Sequence, residues 1–85
     1  MDIKIIMNKL CHLTNDFLGK DLNLRNENIA RKALHIILSE SVQATNYVIL
    51  IEDEFEVEFE DEEVDMDFFL SLDRIADLIG QHLKN

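Results

Sequence analysis

The 85-residue sequence has no proline and no tryptophan, and it contains only two glycines, Gly19 and Gly80. Because proline and glycine are the residues that most often interrupt helices, their scarcity favours helices over most of the chain. Cys11 is the only cysteine, so neither an internal disulfide nor a multi-cysteine zinc site can form. No apolar run approaches about 18 residues, and residues 1–4 do not open a signal peptide, so we expect a cytoplasmic protein without membrane insertion.

Basic residues are also scarce, with 8 Lys and Arg against 18 Asp and Glu, which leaves a net charge of −10. This surplus disfavours nucleic acid and anionic membranes as partners, because their phosphates would be repelled. The chain is 47% hydrophobic, as globular proteins are, and its length suits one domain with one core. We therefore expect residues 1–85 to form a single monomeric domain, whose favoured partner is a protein with a basic patch.

Apolar residues recur with helical spacing in several stretches. The first stretch covers residues 2–18, and Gly19 follows it where a helix commonly ends in a left-handed residue. The most apolar stretch covers residues 42–51. Ser39 or Ser41 can cap a helix that contains this stretch and ends near Phe55. Both stretches are predicted to be helices.

Less regular segments join these helices. Residues 20–38 are predicted to form a long connection, with one or two helical turns from Ile29 onwards. Apolar and acidic residues alternate over residues 55–60, but no second strand-like segment is available for pairing. We therefore expect an extended connection that places Val57 and Phe59 in a helical core.

Two further helices are predicted near the C-terminus. A short helix covers residues 66–70, and Ser71 can cap a last helix. The predicted inner face of that last helix consists of Leu72, Ile75, Ala76, Leu78, Ile79 and Leu83. Together these patterns predict an all-α fold, a small bundle of three longer helices and one short helix, with a long loop after helix one.

The acidic residues are concentrated in residues 52–67, which contain eleven carboxylates and no basic side chain. Calcium prefers clustered carboxylates, but the EF-hand loop needs a glycine for its sharp turn. No glycine occurs between Gly19 and Gly80. The acidic stretch is therefore interpreted as a solvated face, as a docking surface for a basic partner, or as both.

Side chains that commonly carry catalysis do not converge in this sequence. His12, His35 and His82 are far apart, and no two of them have the i, i+4 spacing of a helical metal site. Cys11 directly precedes His12, so the two side chains face different directions on a helix. We expect no catalytic residue and no metal site, and we interpret the protein as a non-enzyme.

Ser41 is distinguished by its position, where a polar segment gives way to an apolar helix. A hydroxyl at this point is expected to be exposed and close to the positive end of a helix dipole, which favours a bound phosphate. A serine at this position is also a common helix cap.

Residues 40–55, with the sequence ESVQATNYVILIEDEF, resemble the acyl carrier protein family, which includes the peptidyl carrier proteins. The family pattern is an Asp-Ser-Leu triplet, an apolar second helix and an acidic triplet closed by phenylalanine. The register matches without a gap from Ser41 to Phe55. Further similarities lie in residues 17–19, 57–63 and 71–79. Residues 20–38 match the family only in being a long connection.

The resemblance implies an acyl-carrier-like bundle in which Ser41 carries a 4′-phosphopantetheine arm, transferred from coenzyme A by a separate phosphopantetheinyl transferase. The thiol of this arm would hold acyl or aminoacyl groups as thioesters in fatty-acid-like or specialised biosynthesis, such as polyketide, nonribosomal peptide or lipid pathways. The implied partners are that transferase and acyl-transferring, condensing or adenylating enzymes with basic docking patches. The implied partner-binding residues are Glu40, Val42, Thr45, Ile49, Glu52 and Asp53.

Several positions depart from the family pattern. Glu40 replaces the usual aspartate, Leu38 the usual glycine and Val42 the usual leucine. Gln43 and Asn46 are neutral where fatty-acid carriers are commonly acidic, which predicts a dedicated pathway. The departures leave open a second hypothesis, an unmodified carrier-like fold that acts as an acidic interaction module. A third hypothesis is an unrelated acidic inhibitor that mimics nucleic acid.

Overall fold

A computed structural model describes residues 2–84 of the chain. Its elements are α1 (Ile3–Leu18), α2 (Glu27–Leu38), α3 (Ser41–Phe55), the 3₁₀-helices η1 (Asp61–Glu63) and η2 (Met66–Phe69), and α4 (Leu72–Lys84). No strand occurs within residues 2–84. The predicted all-α helical bundle is therefore confirmed, although the helices are not all where the sequence suggested.

Helix α1 ends as the sequence predicts. Gly19 adopts the left-handed conformation with φ 65°, and its N–H donates to the carbonyl oxygen of Asp16. The N–H of Lys20 donates to the carbonyl oxygen of Asn15. These two bonds satisfy carbonyl groups that the end of a helix leaves without partners. The chain thereby turns away from α1 without a proline.

Helix α2 lies where the sequence predicted a long connection with one or two helical turns from Ile29 onwards. The helical turns are confirmed, but the helix is longer than predicted and begins at Glu27, so the predicted long connection is wrong. The side-chain oxygen of Asn26 accepts hydrogen bonds from the N–H groups of Asn28 and Ile29 and so begins a helix of 12 residues. Its buried residues are Ala30, Ala33, Leu34 and Ile37. Packing against α3 and η2 supports the helix. Residues 2–84 therefore contain four α-helices, and the connection after α1 shrinks to residues 19–26.

The connection after α3 follows the prediction. Residues 57–60 have no regular secondary structure, Phe59 is buried, and Val57 is half-buried against the core. The chain leaves α3 through Glu56, which adopts the left-handed conformation with φ 55°. The predicted short helix near residues 66–70 is the 3₁₀-helix η2.

Helix α4 confirms the predicted cap, since Ser71 Oγ accepts a hydrogen bond of 3.1 Å from the N–H of Arg74. Its predicted inner face is buried except for Leu83, which is half-buried. The buried side chains of all four α-helices, of η2, and of Leu24 and Phe59 form one hydrophobic cluster. This core holds the α2–α3 junction in place.

Within residues 2–84, no single helix is long and apolar enough to cross a membrane. Helices α2 and α3 taken together have that length and composition, but they are bent by 117° at the break between them.

Candidate functional site

Ser41 lies at the sharp bend between α2 and α3, as the first residue of α3, and it is exposed. The predicted cap by Ser39 or Ser41 is wrong, because Glu40 precedes the helix and no side chain caps it. Ser39 instead ends α2, and its Oγ donates a hydrogen bond of 2.6 Å to the carbonyl oxygen of Ile36. Of the two serines at the junction, Ser41 is therefore the one whose hydroxyl is not engaged by the described residues.

The N-terminus of α3 is rich in unsatisfied donors. The first N–H group bonded within the helix is that of Ala44, which donates to the carbonyl oxygen of Glu40 at 2.9 Å. The N–H groups of residues 41–43 have no intrahelical acceptor, and the first turn contains no acidic residue. An anionic group attached to Ser41 Oγ would therefore lie beside free donors and the positive end of the helix dipole.

A groove of about 450 Å³ opens beside this hydroxyl. It is formed by Leu38, Ser41, Ala44, Thr45, Val48, Ile49, Glu52, Phe59, Asp61, Val64 and Phe69. Phe59 and Phe69 are buried and belong to the core, whereas Ser41 is exposed. We call this cleft the Ser41 groove, and it joins an exposed hydroxyl to a largely apolar interior.

The structure brings together some of the predicted partner-binding residues and separates others. Thr45, Ile49 and Glu52 line the Ser41 groove, and Thr45 Oγ1 also donates to the carbonyl oxygen of Ser41 at 2.9 Å. The others do not line it. They are Glu40 and Asp53, which are exposed, and Val42, whose side chain is 73% exposed.

Glu52 has a structural role that the sequence analysis missed. Its side chain is half-buried, and Oε2 accepts a hydrogen bond of 2.8 Å from the N–H of Phe59. Its carbonyl oxygen accepts from the N–H of Val57 at 3.1 Å. Glu52 thus holds the chain where it leaves α3. Asp53 is exposed, so it is the better position for testing a charged docking face.

Other residues of the groove were also missed. Ala44 and Val48 follow Ser41 by three and seven positions, and this helical spacing could have identified them as sharing its face. Val64 and Phe69 come from a distant segment, and no local pattern associates them with Ser41.

The histidines and the cysteine do not contribute to the groove. His12 and His35 are exposed, and His82 Nε2 lies 2.8 Å from Glu63 Oε1. Burial raises the pKa of the Cys11 thiol, which makes it a weaker nucleophile at neutral pH. Within residues 2–84, no group of three or more His, Cys, Asp or Glu side chains could hold a metal ion.

The acidic stretch at residues 52–67 is mostly exposed. Nine of its eleven carboxylate side chains are exposed, and Glu52 and Glu63 are half-buried. The stretch runs from the C-terminal part of α3 past the Ser41 groove, to which it contributes Glu52 and Asp61. A continuous field of negative charge therefore borders the groove.

Comparisons with known proteins find no family model that matches the chain, no similar curated protein and no similar solved structure. The features of the chain that bear on function are the Ser41 hydroxyl, the Ser41 groove and the negative charge around them.

Proposed function

We propose that the protein is a thioester carrier, modified on Ser41 with 4′-phosphopantetheine, that passes acyl or aminoacyl groups between enzymes of fatty-acid-like or specialised biosynthesis. The observation that carries the proposal is the exposed hydroxyl of Ser41 at the uncapped N-terminus of α3 and at the edge of a groove. The resemblance of residues 40–55 to acyl carrier proteins supports the same assignment.

The surroundings of Ser41 suit an attached phosphodiester. The free N–H groups of residues 41–43 and the helix dipole favour a negative charge at this point. When bound, phosphopantetheine supplies a thiol that forms thioesters. The chain itself holds the attachment point, and apolar side chains such as Val48 and Phe59 offer a surface for apolar cargo. No catalytic role for any residue of the chain is needed.

The charge of the chain supports weak and rapid docking to basic enzymes. The exposed carboxylates of residues 52–67 border the groove, so a transferase or an acyl-transferring, condensing or adenylating enzyme with a basic patch would approach Ser41. Electrostatic steering increases association rates more than it strengthens binding, as a carrier that must leave each enzyme requires. We place this exchange in the cytoplasm and assign the carrier as a monomer.

The proposal is tested by loading the protein with coenzyme A and a broad-specificity phosphopantetheinyl transferase. Intact-mass spectrometry is expected to find a gain equal to one phosphopantetheine group on the wild type and none on Ser41→Ala. Ser39→Ala is the matched control, because Ser39 Oγ is bonded to Ile36 and should not accept the group. An unmodified wild type, or an adduct that persists in Ser41→Ala, contradicts the proposal.

A second candidate function is an unmodified acidic interaction module. It is favoured by α2, a full helix where carriers have a long connection, and by Glu40 in place of aspartate. Two observations together would support this alternative. The protein purified from its native host would carry no adduct, and it would bind a basic protein with an affinity that Asp53→Lys lowers.

A further inference from the structure

A second groove lies between α2 and η2, and it shares Leu38 and Phe69 with the Ser41 groove. Its volume is about 480 Å³. Its remaining residues are Arg31, Lys32, His35, Ile36, Met66 and Leu70. We call it the α2–η2 groove. Neither the acyl-carrier resemblance nor the proposed role of Ser41 uses this surface.

The α2–η2 groove is bordered by apolar side chains that the fold leaves in water. Ile36 is 55% exposed, Met66 is 72% exposed and Leu70 is 56% exposed. Covering such apolar surface with an apolar ligand removes it from water, which favours binding. A patch of large apolar side chains with a polar rim is typical of a binding surface. The groove is therefore expected to bind an apolar group.

The α2–η2 groove is lined by positive charge, although the molecule as a whole is negative. No Asp or Glu lines it, although the chain contains 18 of them. Arg31 and Lys32 are exposed, and neither forms an ion pair with a carboxylate within residues 2–84. Arg31 Nη2 donates to Asn28 Oδ1 at 3.0 Å, which leaves most of its donors free. One edge of the groove thus offers two cations to an anion.

We propose that the α2–η2 groove binds a free amphipathic carboxylate with an unbranched apolar tail. The tail would lie against Ile36, Met66 and Leu70, and the carboxylate would pair with Arg31 and Lys32. The Ser41 groove is a poor site for such a molecule, because Glu52 and Asp61 would repel its charge. A second copy of the chain is disfavoured as occupant, since both copies carry a net charge of −10.

The test is an NMR titration of ¹⁵N-labelled protein with dodecanoate at neutral pH. Saturable shifts are expected for the amides of residues 31–38 and 66–70. The Arg31→Glu/Lys32→Glu variant is expected to bind about tenfold more weakly, because it removes two surface ion pairs and adds repulsion. Lys4→Glu/Lys20→Glu is the control, since it changes the net charge equally at exposed residues that do not line the groove.

A second pair of variants separates the apolar contribution from the charge. Met66→Asp is expected to weaken dodecanoate binding strongly, and Ile5→Asp, which changes an exposed isoleucine on α1, is expected to leave it unchanged. Circular dichroism shows whether each variant remains folded. Dodecyltrimethylammonium, with the same tail and a positive head, should bind at least about tenfold more weakly than dodecanoate.

Three outcomes overturn the proposal. They are equal affinity for the anionic and cationic amphiphiles, an unchanged affinity in Arg31→Glu/Lys32→Glu, and shifts centred on the Ser41 groove at Thr45 and Val64. Each of them is independent of whether Ser41 accepts phosphopantetheine, because the titration uses the unmodified chain.

Discussion

Tyr47, the only tyrosine of the chain, is fully buried beneath α1. Its hydroxyl lies 2.8 Å from Thr14 Oγ1, and Thr14 Oγ1 donates to the carbonyl oxygen of Leu10 at 2.7 Å. Because threonine has a single hydroxyl proton, Tyr47 must be the donor to Thr14. Burial raises the pKa of the Tyr47 phenol, so the hydroxyl remains a neutral donor over the physiological range.

This donor assignment predicts unequal effects for two substitutions. Thr14→Val removes the acceptor and leaves the buried Tyr47 hydroxyl without a partner, so it should lower the free energy of unfolding by about 1–3 kcal/mol. Tyr47→Phe removes the donor and leaves Thr14 bonded to Leu10, so it should cost only about 1 kcal/mol. Urea denaturation measures both. The double variant should lose less free energy of unfolding than the two single variants lose together. Strictly additive losses would contradict the donor assignment.

Glu56 is strained, because its left-handed conformation with φ 55° costs a residue with a Cβ about 1–2 kcal/mol. Glu56→Gly removes this cost but increases the entropy of the unfolded chain, so we predict a net stabilisation of about 0.5–1 kcal/mol. Thermal denaturation checks the sign. Glu54→Gly, in the last turn of α3 where the backbone is still helical, is the control and should destabilise by about 0.5–1 kcal/mol.

At the scale of elements, one side-chain contact joins η1 to α4. Glu63 Oε1 accepts a hydrogen bond from the N–H of Glu60 at 2.8 Å and lies 2.8 Å from His82 Nε2. Hydrogen bonding lowers the pKa of the Glu63 carboxyl from its ordinary value of 4.5. The bond from the N–H of Glu60 is the largest cause, and the bond to His82 is the second. The His82 ring also packs edge-on against Phe59, with centroids 5.4 Å apart. Glu63 thus ties the acidic connection to the last helix.

A lowered pKa in the folded state predicts a defined pH dependence. The Glu63 carboxyl binds a proton more weakly in the folded chain than in the unfolded chain. Its contribution to the stability of the fold is therefore complete above the pKa that Glu63 has in the unfolded chain, and it is lost as the pH falls through the lower pKa of the folded chain. Glu63→Gln should therefore lose less stability than the wild type between pH 7 and about pH 3 in urea denaturation. Glu62→Gln is the control, since its carboxylate accepts no hydrogen bond within the described residues. Parallel pH curves for the wild type and Glu63→Gln would exclude this role.

At the scale of the whole molecule, the surplus of negative charge opposes folding. The net charge of −10 is confined to a body of 31 × 26 × 19 Å. Within residues 2–84 no Lys or Arg lies within ion-pair distance of a carboxylate, and the one such contact, His82 with Glu63, is an ion pair only when the histidine is protonated. Exposed charges at these separations interact over a screening length of about 10 Å at 0.1 M salt. Self-repulsion therefore outweighs attraction at low ionic strength.

This imbalance predicts that salt stabilises the protein. Raising NaCl from about 0.02 M to about 0.5 M should increase Tm by several degrees, and about 4–8 °C corresponds to 1 kcal/mol for a domain of this size. Glu58→Lys should be more stable at low salt and less salt-dependent, and Lys4→Glu should show the opposite changes. Differential scanning calorimetry measures both effects. A Tm that falls with salt would mean that attractive pairs dominate.

Much of the fold could be predicted because local signals agreed with the tertiary packing. Gly19 and Ser71 act at the helix ends as expected, and Phe59 enters the core from an extended segment. The length of helix α2 was underestimated, because residues 21–28 are polar and its apolar face is small, with two alanines among its four buried residues. Its stability comes from burial against α3 and η2, which a local pattern does not report.

The sequence by itself determined the helical class, the excess of negative charge and the position of Ser41 where an apolar helix begins. Hydrophobic spacing, charge and capping are local properties, so they can be read along the chain. Only the tertiary structure decided that Glu40 rather than a serine precedes α3, that Glu52 bonds to Phe59, and that residues 38 and 69 stand between two grooves. Those facts depend on which distant segments pack together, because a groove or a buried hydrogen bond exists only between elements that the core has brought into contact.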